Sequence, residues 1–105
     1  FGRFGKGQHY DGIDIMFGKN QPIYSAYDGE VAFVGSQIKR FGNLIILKHN
    51  NSWVTAYSNL GKYNVKVGDI IKKQQVIAYT PDNKNYFHFQ LRYNRNPVNP
   101  LGYLN

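Results

Sequence analysis

Residues Tyr86–Tyr93 read YFHFQLRY, an unbroken alternation of apolar and polar side chains. A period of two places Phe87, Phe89 and Leu91 on one face of a strand and Tyr86, His88, Gln90 and Arg92 on the other. No segment of the 105 residues sustains a helical spacing of apolar side chains. Short apolar runs recur instead, separated by turn signals, which predicts a single all-β domain. Nine tyrosines, seven phenylalanines and eleven glycines agree with strands joined by turns.

The remaining runs follow the same logic. Residues 13–17 (IDIMF) alternate, with Ile13, Ile15 and Phe17 expected toward the core and Asp14 and Met16 opposite. Residues 22–26 read as an edge strand, because Pro22 cannot donate to a ladder. The Asp28-Gly29 turn leads into a strand over residues 30–34. Residues 44–47 (LIIL) are apolar on both faces and so belong in the middle of a sheet. A hairpin loop over residues 49–52 (HNNS) returns the chain through residues 53–57, and residues 75–80 form a further strand. The tail from residue 96, with Pro97 and Pro100, reads as loop. Residues 26–35 and 65–78 echo each other, each with a glycine turn between short β-branched runs, as in a duplicated sandwich or barrel.

Thirteen Lys+Arg against six Asp+Glu give a net charge of +7. Such a chain favours anionic partners: nucleic acid, an anionic membrane face or an anionic cell-wall polymer. Its basic–aromatic pairs, Lys62-Tyr63 and Arg92-Tyr93, are scattered and carry no RNA-binding signature, so nucleic acid is not an expected partner. With no cysteine, disulfides and thiolate metal sites are excluded. No apolar run is long enough to span a bilayer. The sequence begins at Phe1 without a methionine or a signal peptide, and we expect it to be a fragment of a longer exported protein.

Chemistry-bearing side chains gather in residues 9–15, HYDGIDI. Asp14 lies on the polar face of its strand and His88 on the polar face of the last one. A carboxylate and an imidazole from neighbouring strands suit zinc, but two ligands do not make a tight site. His9, in the glycine-rich lead-in GRFGKGQHY, is the third candidate; its simpler reading is a solvated loop histidine. His49, Asp11, Asp28 and Asp69 are most simply turn residues. No Ser-His-Asp arrangement and no phosphate-cradling glycine loop stands out.

The order of motifs carries more than any one of them: DGIDI, PIYSAYDGEVAFVG, GNLIILKHNNSWVTAYSNL, VKVGDIIKKQQVIAYT, YFHFQLR, VNPLGYL. From about Tyr10 to Leu104 this series resembles the lysostaphin-type (LytM-like) zinc metallopeptidase domain. The resemblance divides the chain into a lead-in, residues 1–9, and a LytM-like domain, residues 10–105. It implies an all-β sandwich/barrel hybrid with a groove across one antiparallel sheet, zinc on the groove floor and peptidoglycan cross-bridges as substrate.

Residue by residue, the likeness is incomplete. The family's His-x-Gly-x-Asp motif keeps Gly12 and Asp14, but Tyr10 stands at the histidine. His9 is one residue off, and a one-residue slip turns a strand side chain to the other face. In the Tyr-x-His-Leu motif, here Tyr57-Ser58-Asn59-Leu60, Asn59 replaces a catalytic histidine. In His-x-His, here Tyr86-Phe87-His88, Tyr86 replaces the other and His88 keeps the ligand position. Zinc hydrolysis needs three protein ligands, an open position for water, and groups that move protons and stabilise an oxyanion. Asparagine cannot act as a base, and tyrosine, with a pKa near ~10, is a poor one near neutral pH.

The resemblance therefore implies a degenerate domain like the amidase activators of the bacterial envelope. The expected partner is a peptidoglycan amidase or other cell-wall hydrolase, bound in a groove lined by Tyr10, Asp14, Asn59, Tyr86 and His88. No catalytic residue and no zinc are expected, Asp14 and His88 being residual ligand positions. The expected location is the periplasm or cell envelope. Two rivals stand beside this reading: a peptidoglycan-binding module, and an active zinc hydrolase using His9, Asp14 and His88.

Overall fold

The computed structural model describes residues 12–50, 52–94 and 96–98. Among the described residues nine strands run in chain order: β1 (Ile13–Met16), β2 (Pro22–Tyr24), β3 (Gly29–Gly35), β4 (Asn43–Lys48), β5 (Trp53–Leu60), β6 (Ile70–Ile71), β7 (Val76–Tyr79), β8 (Tyr86–Tyr93) and β9 (Asn96–Val98). The only helical element among the described residues is a 3-10 turn, Lys39–Phe41. One large antiparallel sheet takes the order β1-β8-β5-β4-β3-β6, with β9 also on β8, and a two-stranded sheet pairs β2 with β7.

The alternation of β8 is realised over its whole length. Phe87, Phe89 and Leu91 are buried, and β8 lies between β5 on one side and β1 and β9 on the other. The doubly apolar residues 44–47 fall in β4, which is paired on both edges, to β3 and β5. The core lies between the two sheets: Ile13, Val31, Ile45, Leu47, Tyr57, Ile71 and Phe89 from the large sheet meet Ile23, Ile77 and Ala78 from the small one. A strand face this apolar is stable only when another layer covers it.

Four elements differ from the pattern in the sequence. Phe17 leaves β1, donates its N–H to the Asn85 carbonyl and is 43% exposed, packing edge-on against Phe87 rather than entering the core. β5 runs on to Leu60, carried past Tyr57 by an irregularity opposite Asn43–Ile45, with Asn59 at φ 58. The tail contributes β9, in which Pro97 sits on an edge strand where the missing N–H costs little. The echoing segments do not form equivalent units: β3 and β6 pair with each other in the large sheet, while β7 joins β2 in the small one.

Gly12 explains one glycine of the DGIDI motif. Its φ is +140, and a Cβ there would lie 2.0 Å from the Phe89 carbonyl oxygen. The chain can therefore enter β1 close against β8 only where no side chain intervenes.

Candidate functional site

The face of the large sheet opposite the core is a groove. The register sets Asp14 (β1) opposite His88 (β8), and His88 opposite Ser58 (β5), so the three form one row across three strands. Two residues along β8 in either direction, Tyr86 and Gln90 share that face, and Arg92 follows Gln90. Between Ser58 and Arg92 the floor turns apolar, with Ile46, Val54 and Ala56. Ile38 and Phe41, presented by the 3-10 turn, wall a cavity of about 270 Å³ there.

Asp14 and His88 meet directly: His88 Nδ1 lies 2.8 Å from Asp14 Oδ1. A carboxylate accepts, so Nδ1 is the donor of this bond. The side chains are 19% exposed for His88 and 50% for Asp14, so the pair opens onto solvent on the groove side. Although the row reads Ser-His-Asp, the Asp14–His88 bond is its only side-chain hydrogen bond among the described residues. Gln90 is buried, and its Oε1 accepts from Arg92 Nε at 3.1 Å, which fixes both side chains on the floor.

The sequence-predicted site residues are brought together only in part. Asp14, His88 and Tyr86 share one face and adjoining positions. Met16 stands opposite Tyr86 in the register, on the same face as Asp14. Asn59, the residue before the last of β5, lies next to the end of the 3-10 turn: a Cβ at Gly42 would be 3.7 Å from Asn59 Oδ1. Lys84 Nζ lies 5.8 Å from the centre of the Tyr86 ring. The expectations for Tyr10 and His9 lie outside the described residues. The sequence reading placed Gln90 on the polar face of its strand without a role in the site, and passed over Ser58, Ile38 and Phe41. Ser58 and Gln90 were legible by period two from His88 and across the hairpin; the turn carrying Ile38 and Phe41 had no periodic signal.

The groove residues can be tested against the zinc that the domain type implies. A catalytic zinc takes three protein ligands and keeps one position open. Asp14 and His88 supply two donors, and among the described residues no third His, Cys, Asp or Glu side chain joins them. The described donor set does not fit a catalytic zinc, and no chemical step through a metal follows from it.

His49 is more than a turn residue. Its Nδ1 donates to the Asp28 carbonyl at 2.6 Å, and its Nε2 is 2.7 Å from Thr55 Oγ1. Thr55 Oγ1 lies 3.3 Å from the Tyr57 hydroxyl, which accepts the Ala26 N–H at 3.0 Å. This chain of bonds ties the turn at residues 26–28 to β5 through the core. Burial lowers the pKa of His49, opposed by the Asp28 carbonyl and charge. His49 also lines a larger cavity of about 540 Å³ with Tyr27, Trp53 and Lys73, which holds none of the groove residues.

Comparison with known proteins places these features. The model of peptidase family M23 matches residues 8–100. Cell division protein DipM of Caulobacter vibrioides is 39% identical over 97 residues, covering 89% of this chain and 16% of that protein. Murein hydrolase activator NlpD of Escherichia coli is 38% identical over 96 residues, covering 89% of this chain and 25% of its own length. The chain thus spans about a quarter or less of these two relatives. Among solved structures, the antimicrobial peptidase lysostaphin of Staphylococcus simulans superimposes with a TM-score of 0.85 at 26% identity, over 99% of this chain and 47% of that one. Csd3 of Helicobacter pylori gives a TM-score of 0.88 at 28% identity, over 99% of this chain and 30% of that one.

Proposed function

The chain belongs to peptidase family M23, and from that premise we propose that it is a non-catalytic member that binds and switches on a peptidoglycan amidase in the bacterial envelope. The observation that carries this reading is the state of the groove floor. Asp14 and His88 are bonded to each other at 2.8 Å, and Asn59 and Tyr86 stand where the family's resemblance puts catalytic histidines. Neither asparagine nor an ordinary tyrosine can take up a proton from water near neutral pH. Both can donate and accept hydrogen bonds, and tyrosine offers a large contact area at low entropic cost.

Support comes also from the relatives: one is named a murein hydrolase activator, another a cell division protein, and others lipoproteins. An envelope location and a hydrolase partner follow from that likeness. The groove is the docking surface in this reading. A partner segment would lay apolar side chains on Ile46, Val54 and Ala56, against the wall of Ile38 and Phe41, and meet Asn59, Tyr86 and His88 at the polar end. Interface cores favour this mixture of apolar floor and aromatic or hydrogen-bonding anchors.

The test is release of dye from labelled sacculi by an N-acetylmuramoyl-L-alanine amidase, with and without this domain. The domain alone, with zinc added, should release nothing; with the amidase it should raise release severalfold. Tyr86→Ala and Asn59→Ala should reduce that stimulation while the domain stays folded. Dye release by the zinc-supplemented domain alone would overturn the reading in favour of a hydrolase.

The net charge of +7 favours a second reading, direct binding to an anionic wall polymer. Sedimentation with sacculi that survives ~0.3 M salt would support specific recognition, since exposed charges are largely screened there.

A further inference from the structure

Sulfur chemistry in this protein is confined to one atom. The chain has no cysteine and a single methionine. Methionine is ordinarily among the buried residues, yet the core here is built without it. Met16 is 53% exposed, at the end of β1. It is two residues from Asp14 on the same face and directly opposite Tyr86 in the register. The only oxidisable sulfur therefore stands on the groove face at the end of β1, beside Tyr86, one of the positions where the sequence departs from the family motif.

We propose that Met16 is an oxidative modification site, converted to methionine sulfoxide by a peroxide. The thioether sulfur attacks one peroxide oxygen and the O–O bond breaks. Sulfur gives up two electrons and keeps the oxygen as S=O. The other oxygen leaves with the two peroxide protons as water (as alcohol from an alkyl peroxide). The product is polar and chiral where an apolar, flexible side chain stood. The surroundings favour the reaction: no thiol competes for oxidant, and half of the side chain is open to solvent. Because Met16 and Tyr86 share one end of the groove, the sulfoxide changes the surface offered to a partner and leaves the core untouched. This last consequence rests on the docking role proposed above; the reactivity of Met16 does not.

The experiment treats the purified domain with hydrogen peroxide and follows a gain of one oxygen at Met16 by peptide mass spectrometry. N-acetylmethionine amide in the same solution is the reference. Oxidation of Met16 within about threefold of the reference rate is expected from its exposure. A rate more than tenfold slower would overturn the proposal. Oxidised and untreated domain are then compared in the amidase assay, with Met16→Leu treated identically to account for Trp53 and the tyrosines. Stimulation should fall at least threefold on oxidation of the native chain and return after incubation with methionine sulfoxide reductase, whereas oxidised Met16→Leu should match untreated Met16→Leu, whatever level that variant sets. An equal fall in both proteins would refute the role of Met16. If the untreated domain stimulates no amidase at all, the activator reading fails, and the rate measurement still decides the modification site.

Discussion

Replacing Tyr57 by phenylalanine tests whether the hydrogen bonds through the core are as buried as they look. The ring would stay in place: Tyr57 is 1% exposed, with its ring 5.2 Å from that of Phe89 and 6.4 Å from that of Phe87. Only the hydroxyl is lost, so no side-chain-sized cavity opens. What changes is the fate of its partners. The Ala26 N–H, which Tyr57 accepts at 3.0 Å, loses its acceptor. Thr55 Oγ1 loses one neighbour but keeps His49 Nε2 at 2.7 Å. A buried donor left unpaired costs about 1–3 kcal/mol, and the Thr55 contact, long at 3.3 Å, adds little. The expected loss is about 2 kcal/mol, which for a domain of about 100 residues is a fall in Tm of roughly 8–16 °C. Urea unfolding should show a lower midpoint at an unchanged slope. Thr55→Val, close in shape, and the double variant complete a cycle; a coupling of about 0.5 kcal/mol or less is expected of so long a contact. A Tyr57→Phe loss below about 0.5 kcal/mol would mean that water reaches the Ala26 N–H and would refute the account of a dry, continuous chain of bonds.

Three further outcomes follow from the same structure. Burial holds the folded-state pKa of His49 below its ordinary 6.5, so the unfolded chain binds the extra proton first. Stability should be fully present above about pH 6.5 and decline as pH falls below it, and His49→Gln should flatten that slope in denaturant titrations at several pH values. Gly12→Ala should destabilise by more than ~3 kcal/mol or prevent folding, because its Cβ would meet the Phe89 carbonyl at 2.0 Å in a backbone conformation that L residues avoid; normal expression and an unchanged Tm would contradict the close approach of β1 to β8. Metal analysis after incubation with zinc and desalting should find far less than one zinc per chain, as expected of a site short of three ligands; stoichiometric zinc would show that a donor outside the described residues completes it.

Period two was enough to read β8 and β1, because each is flanked by turns and each has a face that must be buried, and an apolar run without alternation marked β4 as a central strand. From the alternation alone came the placing of Asp14 on the polar face of its strand, and of Tyr86 and His88 on the polar face of theirs. The same rule misjudged Phe17. It continues the alternation of β1, but the Asn85 carbonyl takes its N–H and ends the ladder one residue earlier. The backbone at Asn59 had no signal for a related reason. Its positive φ lies at an irregularity in the β4–β5 pairing, and a bulge has no signature in a simple alternation. His49 looked like a loop residue because its neighbours are asparagines. Its partners Asp28 and Thr55 are 21 and 6 residues away, and only folding sets them around it.

The sequence by itself determined that this chain is all-β, that one face of each main strand is apolar, that no thiol can serve, and that the helper positions of the motif series hold asparagine and tyrosine. These are local properties, set by side-chain identity and a backbone period of two. Tertiary structure decided which polar faces coincide. Asp14 and His88 are 74 residues apart and touch because β1 and β8 pair in one register out of several that would bury the same apolar set. The wall of Ile38 and Phe41 over the apolar floor, and the exposure of the single methionine beside Tyr86, were settled in the same way. Strand order and register depend on the packing of the whole core, and no window of sequence contains that sum.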